Sequence, residues 1–254
     1  MPEPAVISER RDDILVITLN RPDVRNAVNE ALCDELARAM DQLDDDHSLR
    51  VGIVTGAPPG FSSGMDLKAF VAGERVWDSE RGFAGITRKP SSKPLIAAVE
   101  GFALAGGLEI ALSCDLLVAA RDARFGVPEV TRSLVATGGA LLRLPLRIPA
   151  NAVMELALTG DLISAEEGHR LGFVNRLCEP GGASKAALEI AERIAANGPL
   201  AVAATKQILL EAPNWGEDAW RLQDAIAAPV LASEDAQEGA IAFAEKRPPH
   251  WMGR

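Results

Sequence analysis

A mixed α/β fold, with a mostly parallel sheet and a helical C-terminal quarter, is predicted for this chain by three observations. Short β-branched runs alternate with amphipathic helical patterns through roughly the first two thirds of the sequence. Past Ala183 the strand signals stop and alanine-rich helical patterns take over. The 254 residues are 48% hydrophobic, enough to fill one substantial core without disulfides or a structural metal.

The elements follow in order. Ile14-Leu15-Val16-Ile17-Thr18-Leu19 reads as a strand. Leu32, Leu36, Met40 and Leu43 then recur at helical spacing, an apolar stripe with acidic residues and Arg38 outside it. Val51-Gly52-Ile53-Val54-Thr55 is the next strand and completes a βαβ unit. A helical crossover of this kind returns the chain in the same direction, so parallel pairing follows. Residues 71–93 mix Gly73, Gly82, Gly85, Pro90, Ser91 and Ser92 with Trp77, Phe83 and Ile86, the pattern of a mobile, apolar-lined loop. Leu95-Ile96-Ala97-Ala98-Val99, Leu116-Leu117-Val118-Ala119 and Phe173-Val174-Asn175-Arg176-Leu177 supply further strands. These near-continuous apolar runs suit a sheet covered on both faces.

The helical patterns cover Ile190–Ile194, Ala201–Leu210, Ala219–Leu231 and Glu234–Lys246, broken at Gly198-Pro199 and at Pro213. The chain therefore divides into residues 1–195, a core carrying the site, and residues 196–254, a helical region. The second part has too little core of its own and must pack on its own sheet domain or on a neighbouring subunit, so an oligomer is expected.

Composition excludes several function classes. With 36 acidic against 26 basic residues, a nucleic-acid surface has no support. The widely spaced Cys33, Cys114 and Cys178 read as buried apolar residues of a reducing compartment. Met1-Pro2-Glu3-Pro4 lacks the basic and apolar regions of a secretory signal, and no apolar run approaches the ~20 residues that span a bilayer. A cytoplasmic address without membrane association is expected. His47, His169 and His250 are scattered, and no metal-ligand spacing is present. There is no Walker loop, no G-x-G-x-x-G and no tyrosine.

The chemistry concentrates between Leu95 and Glu129. After the strand ending at Val99, Gly106-Gly107 opens an apolar helix whose first N–H groups have no intrahelical partner, so Gly106 can donate to an oxygen gaining negative charge. A second donor is available where the chain enters another helix through Gly60-Phe61-Ser62-Ser63-Gly64-Met65-Asp66-Leu67, with the N–H of Met65 as candidate. Together they would form an oxyanion hole. Glu109 lies in the first turn of the Gly106-Gly107 helix, and Glu129 follows Phe125-Gly126-Val127-Pro128. If the two carboxylates converge, repulsion and burial keep one protonated near neutrality, giving a base and a proton donor in one pocket.

Plainer readings stand beside these. Glu109 could be a helix N-terminal acid held by the dipole, and Glu129 a salt-bridge partner of Arg132 or Arg124. Gly106-Gly107 and Gly138-Gly139 could simply mark tight turns. Gly60-Phe61-Ser62-Ser63-Gly64 also matches G-x-S-x-G, with Asp115 and His169 downstream in serine-hydrolase order, but no HGGG-like oxyanion element precedes it.

The order and spacing of several motifs carry a resemblance over nearly the whole chain. These are Leu19-Asn20-Arg21-Pro22 with Asn26-Ala27, Phe61-Ser62-Ser63-Gly64-Met65-Asp66-Leu67, and Ala97-Ala98-Val99-Glu100-Gly101-Phe102-Ala103-Leu104-Ala105-Gly106-Gly107-Leu108-Glu109. Cys114-Asp115, Phe125-Gly126-Val127-Pro128-Glu129, Leu158-Thr159-Gly160 with Ala165, Gly172-Phe173-Val174-Asn175 and Phe243-Ala244-Glu245-Lys246-Arg247 follow. The chain resembles the crotonase (enoyl-CoA hydratase/isomerase) superfamily.

The resemblance implies a spiral of ββα units followed by a helical trimerisation region, assembled as a homotrimer or as a hexamer of two trimers. It implies an acyl-CoA thioester as ligand and no cofactor, coenzyme A being part of the substrate. The oxyanion donors map to Met65 and Gly106, and the two glutamates of the family's hydratases map to Glu109 and Glu129. Glu129 is then the proton donor to the α-carbon, and Glu109 positions and activates water. Arg21, Arg25 and Lys68, with Phe243 and Lys246 reaching a neighbouring subunit's ligand, are implied CoA contacts. Trp77, Phe83 and Ile86 are implied to line the acyl pocket. The implied activity is enoyl-CoA hydration; alternatives are an enoyl-CoA isomerase, a hydroxyacyl-CoA dehydratase or a non-catalytic acyl-CoA binder. Met65, Ala105, Leu108 and Ser133 depart from the commonest residues, and Val135-Ala136-Thr137-Gly138-Gly139 lacks a frequent proline, which leaves acyl-chain length open.

Overall fold

The computed structural model describes residues 3–212 and 217–254. Met1, Pro2 and Pro213, each part of an expectation above, lie outside the described residues. The chain opens with β1 (Val6–Arg11) and β2 (Ile14–Leu19), passes through α1 (Glu30–Asp45) into β3 (Val51–Gly56), and enters α2 (Leu67–Val71). A short hairpin of β4 (Trp77–Asp78) and β5 (Gly82–Phe83) precedes β6 (Leu95–Val99), β7 (Phe102–Leu104) and α3 (Gly106–Leu112). Then come β8 (Leu116–Ala120), β9 (Arg124–Gly126), α4 (Ala140–Arg143), α5 (Ala150–Thr159), β10 (Ile163–Ser164), α6 (Ala165–Leu171) and β11 (Arg176–Cys178). Four helices close the chain: α7 (Ala183–Ala195), α8 (Pro199–Glu211), α9 (Glu217–Leu231) and α10 (Glu234–Glu245).

The main sheet has the order β1-β2-β3-β6-β8-β11, antiparallel only between β1 and β2. A second sheet, β10-β9-β7, stands beside it. Two successive turns of the chain, β6-β7-α3 and β8-β9-α4, each give one strand to each sheet and then a helix. The main sheet is apolar on both faces because side chains alternate along each strand. Ile17, Leu19, Val54, Ala97, Val99 and Leu117 face α1 and α3, while Ile14, Val16, Val51, Ile53, Ile96 and Val118 face the alanines of α7. The α1 stripe expected at Leu32, Leu36, Met40 and Leu43 is fully buried, and Asn29 caps the helix by accepting from the Leu32 N–H.

Several local readings need correction. The 71–93 segment carries polar ties to α1 that its loop composition does not announce. Arg81, almost wholly buried, pairs with Asp41 and Asp44 of α1 at 2.8 Å, and Ser91 and Ser92 hydrogen-bond Asp44. These polar ties run to a helix forty residues upstream, beyond the reach of local pattern. The last strand of the main sheet starts at Arg176 rather than Phe173, whose ring packs edge-on against Phe125 with centroids 5.4 Å apart. The N–H groups of Phe173 and Val174 both donate to the Gly168 carbonyl of α6, so the ladder forms only after them. Cys33 and Cys114 are buried, but Cys178 is half-buried and donates its thiol to the Ala119 carbonyl.

Candidate active site

The loop after β3 is organised by a buried asparagine. The Asn26 side chain donates to the Ala57 and Gly60 carbonyls, both at 2.8 Å, and accepts from the Arg21 N–H. Ser62 Oγ donates to the Asn26 carbonyl and accepts from the Gly64 N–H. Ser62 is thus a buried structural hydroxyl rather than a hydrolase nucleophile.

This loop runs alongside β7 through a parallel bridge between Ser62 and Ala103. Met65 and Gly106 each lie three residues past that bridge, so the pairing brings their backbones to the same place. Gly64 is the contact point, with a φ of +92° and the Gly106 nitrogen 2.7 Å from where a Cβ would sit. Among the described residues, no acceptor takes the N–H of Met65 or of Gly106. Ala105 precedes Gly106 with a φ of 51°, an uncommon conformation for a residue with a side chain, held there by its N–H bond to the Gly126 carbonyl.

Glu109 is buried on α3, and its carboxylate meets the segment that leads into α4. Oε1 accepts from the Ala140 N–H at 3.2 Å. Burial raises its pKa, opposed by the N–H groups of Ala140, Gly138 and Gly139 and by the Arg143 charge. The Gly138-Gly139 pair is therefore more than a tight turn: it forms a cradle for this carboxylate.

Glu129 follows β9 in a 3-10 turn. Its Oε2 is buried without a hydrogen-bond partner, and no ion pair joins it to Arg124 or Arg132 among the described residues. Burial pushes its pKa up to about 7; the Glu109 charge adds to the rise, while its own N–H and Arg132 oppose it. The glutamates thus act on one another across the site, one cradled by N–H groups and the other orphaned.

The other expected contacts fall in two groups. Arg21 pairs with Asp66 at 3.1 Å, and Asp66 caps α2 by accepting from the Lys68 and Ala69 N–H groups. The exposed Arg25 takes the Ser63 N–H on its carbonyl at 3.0 Å. Arg21, Arg25 and Lys68 therefore surround the segment that leads to Met65. Phe83 lies against Gly106 and packs edge-on to Trp77 with centroids 5.6 Å apart; Ile86 is buried close behind in the chain. Phe243, 88% exposed, and Lys246 lie at the C-terminal end of α10, and among the described residues no hydrogen bond or ion pair joins them to the glutamates. The cradle residues Gly138, Gly139 and Ala140, and Arg143 beside them, went unrecognised in the sequence. The available signal was a glycine pair directly before a helical start.

Two unpaired N–H groups together with two interacting carboxylates, Glu109 buried and Glu129 with one oxygen buried, define a class of site suited to enolate chemistry on a carbonyl substrate. Comparison with known proteins gives the family. The enoyl-CoA hydratase/isomerase family profile matches residues 9–254, and the chain belongs to that family. It is 40% identical to an enoyl-CoA hydratase of Mycobacterium tuberculosis over 99% of this chain and 97% of the relative. It is 41% identical to a carnitinyl-CoA dehydratase of Shigella flexneri over 96% and 97%. The crystal structure of an enoyl-CoA hydratase from Mycobacterium marinum superposes with a TM-score of 0.97 at 60% identity, covering 99% of this chain and all of that one.

Proposed function

We propose that this enzyme adds water reversibly to a trans-2-enoyl-CoA thioester, giving a 3-hydroxyacyl-CoA, with Glu109 and Glu129 as the paired acid and base. The carrying observation is the orphaned Glu129 Oε2, with a pKa near 7, within electrostatic reach of a Glu109 carboxylate cradled by N–H groups. Glu109 is the group better held as an anion and takes a proton from water. The water oxygen attacks the β-carbon, and the π electrons move onto the thioester oxygen, where the N–H groups of Met65 and Gly106 receive the charge. Protonated Glu129 then delivers its proton to the α-carbon, and the new carbonyl re-forms as the hydrogen bonds relax. The water proton left on Glu109 passes to solvent or back to Glu129, restoring the pair.

No cofactor enters this scheme beyond the coenzyme A that the substrate carries. In this reading Arg21, Arg25 and Lys68 meet the nucleotide phosphates, and Trp77, Phe83 and Ile86 line the acyl tail. Exposed Leu209, Leu231, Ile241 and Phe243 on α8, α9 and α10 support assembly of residues 196–254 into a trimer or a hexamer. In that assembly Phe243 and Lys246 would reach a neighbour's ligand. Three free thiols fit a cytoplasmic address, and among the described residues no helix is long and apolar enough to cross a membrane.

The relatives named as carnitinyl-CoA dehydratases favour one second reading, the same chemistry run toward water loss from a specialised hydroxyacyl-CoA. The test follows the ultraviolet absorbance of crotonyl-CoA and of a longer trans-2-enoyl-CoA. The expected result is loss of the conjugated signal, cut at least ~10²-fold by Glu109→Gln and by Glu129→Gln. Binding without signal loss on either substrate would overturn hydration of simple enoyl chains.

A further inference from the structure

Arg143, at the C-terminal end of α4, stands directly behind the Gly138-Gly139 cradle. Its guanidinium is half-buried, yet among the described residues it has no carboxylate partner in hydrogen-bond or ion-pair contact. It donates instead to two carbonyls, that of Gly138 at 3.3 Å and that of Thr87. The peptide unit that carries the Gly138 carbonyl also carries the Gly139 N–H, one of the three that face Glu109. One amide thus has a cation at its oxygen and turns its hydrogen toward the site carboxylate, whose hydrogen bond comes from the next N–H, that of Ala140, so the two charges polarise the same turn from opposite sides. The fit is close, since a Cβ on Gly139 would fall 2.1 Å from Arg143 Nη1. Thr87 lies directly after Ile86 and shortly after Phe83, so the same guanidinium also ties the apolar wall to the carboxylate cradle.

We propose that Arg143 is a positioning residue for the reaction: it clamps the Gly138-Gly139 turn under Glu109, supplies the cationic charge behind that carboxylate, and links it to the Phe83 segment. The inference rests on the reading of Glu109 as the base. The groups facing these two side chains are few. Glu129 and Arg143 act on Glu109, while Arg147, Cys114 and Glu109 act on Arg143. Arg147 is itself engaged, donating to the Leu112 and Cys114 carbonyls, and the Asp115 charge acts on it. Removing the Arg143 charge leaves Glu129 and the desolvated setting to resist ionisation of Glu109, and leaves the cradle amide without its cation.

The test compares Arg143→Met and Arg143→Lys with wild type across pH 5 to 9, reading kcat and KM for an enoyl-CoA. Arg143→Met is expected to move the rising limb of the kcat profile to higher pH, making its loss about tenfold greater at pH 6 than at pH 9. Arg143→Lys keeps the charge but not the fork, and should return the limb to the wild-type position while kcat stays below wild type. An infrared titration of the carboxyl band that disappears in Glu109→Gln reads the same shift without substrate, so the outcome does not depend on turnover. A limb and a band both unmoved in folded Arg143→Met would overturn the proposal. If Arg143→Met does not fold, Arg143→Lys decides: full kcat at every pH overturns the clamp, and a lowered kcat with an unmoved limb supports it.

Discussion

Gly138 lies so close to Glu109 that a Cβ at position 138 would sit 2.4 Å from the carboxylate Oε2. The backbone of Gly138 does not adopt a left-handed conformation, so alanine fits there without backbone strain. The obstructed atom is the far end of a flexible side chain, which can swing aside at little cost to the fold. Gly138→Ala should therefore leave the melting temperature nearly unchanged while lowering kcat about 10²-fold, because displacing a reacting group by about 1 Å has that effect. Thermal unfolding and steady-state rates on one preparation check both halves.

Gly64 presents the opposite case, where the obstruction is backbone. Its φ of +92° and the Gly106 nitrogen 2.7 Å from a built Cβ leave no inexpensive way to accommodate a methyl group. Gly64→Ala should lower kcat by about 10² to 10³-fold, as loss of one oxyanion donor does, and should also lower the melting temperature. A full-rate variant would remove the Met65 and Gly106 N–H groups from the mechanism.

Glu129 should leave a signature in stability. Its pKa is raised by burial to about 7 in the folded protein, above that of an exposed carboxyl. A raised folded-state pKa contributes stability that is fully present below the unfolded value and is lost as pH rises through about 7. Glu129→Gln stays neutral throughout, so its stability relative to wild type should grow from about pH 4.5 to pH 7.5 and then level off. The gain is on the order of 2 kcal/mol, readable by denaturant unfolding at pH 5 and pH 8.5. Equal differences at both pH values would place Glu129 in contact with solvent.

Much of this architecture was legible in linear order. The β2, β3, β6 and β8 runs and the α1 stripe are long enough for their periods to be unmistakable, and Gly106-Gly107 with Glu109 marks a helix start that bears a carboxylate. The shorter pieces were not legible. β7 and β9, three residues each, and β10, with two, carry no period of their own and exist because the main sheet and its loops hold them together. The Gly138-Gly139 pair looked like ordinary turn punctuation, because nothing within ten residues shows that its N–H groups face a carboxylate thirty positions earlier.

By itself the sequence determined the strand and helix periods, the alternation that buries both faces of the main sheet, and the motif order that places the chain in its family. Those properties live in local spacing and in the demand that apolar stripes be covered. Only the tertiary structure decided that Ser62 beside Ala103 brings Met65 to Gly106, that Glu129 keeps a buried oxygen unpartnered near Glu109, and that Arg143 reaches the far side of the Glu109 cradle. Each depends on segments separated by tens of residues, whose meeting is set by the packing of the whole core. Charge and hydrogen bonding act over a few ångströms of space, with no regard to distance along the chain.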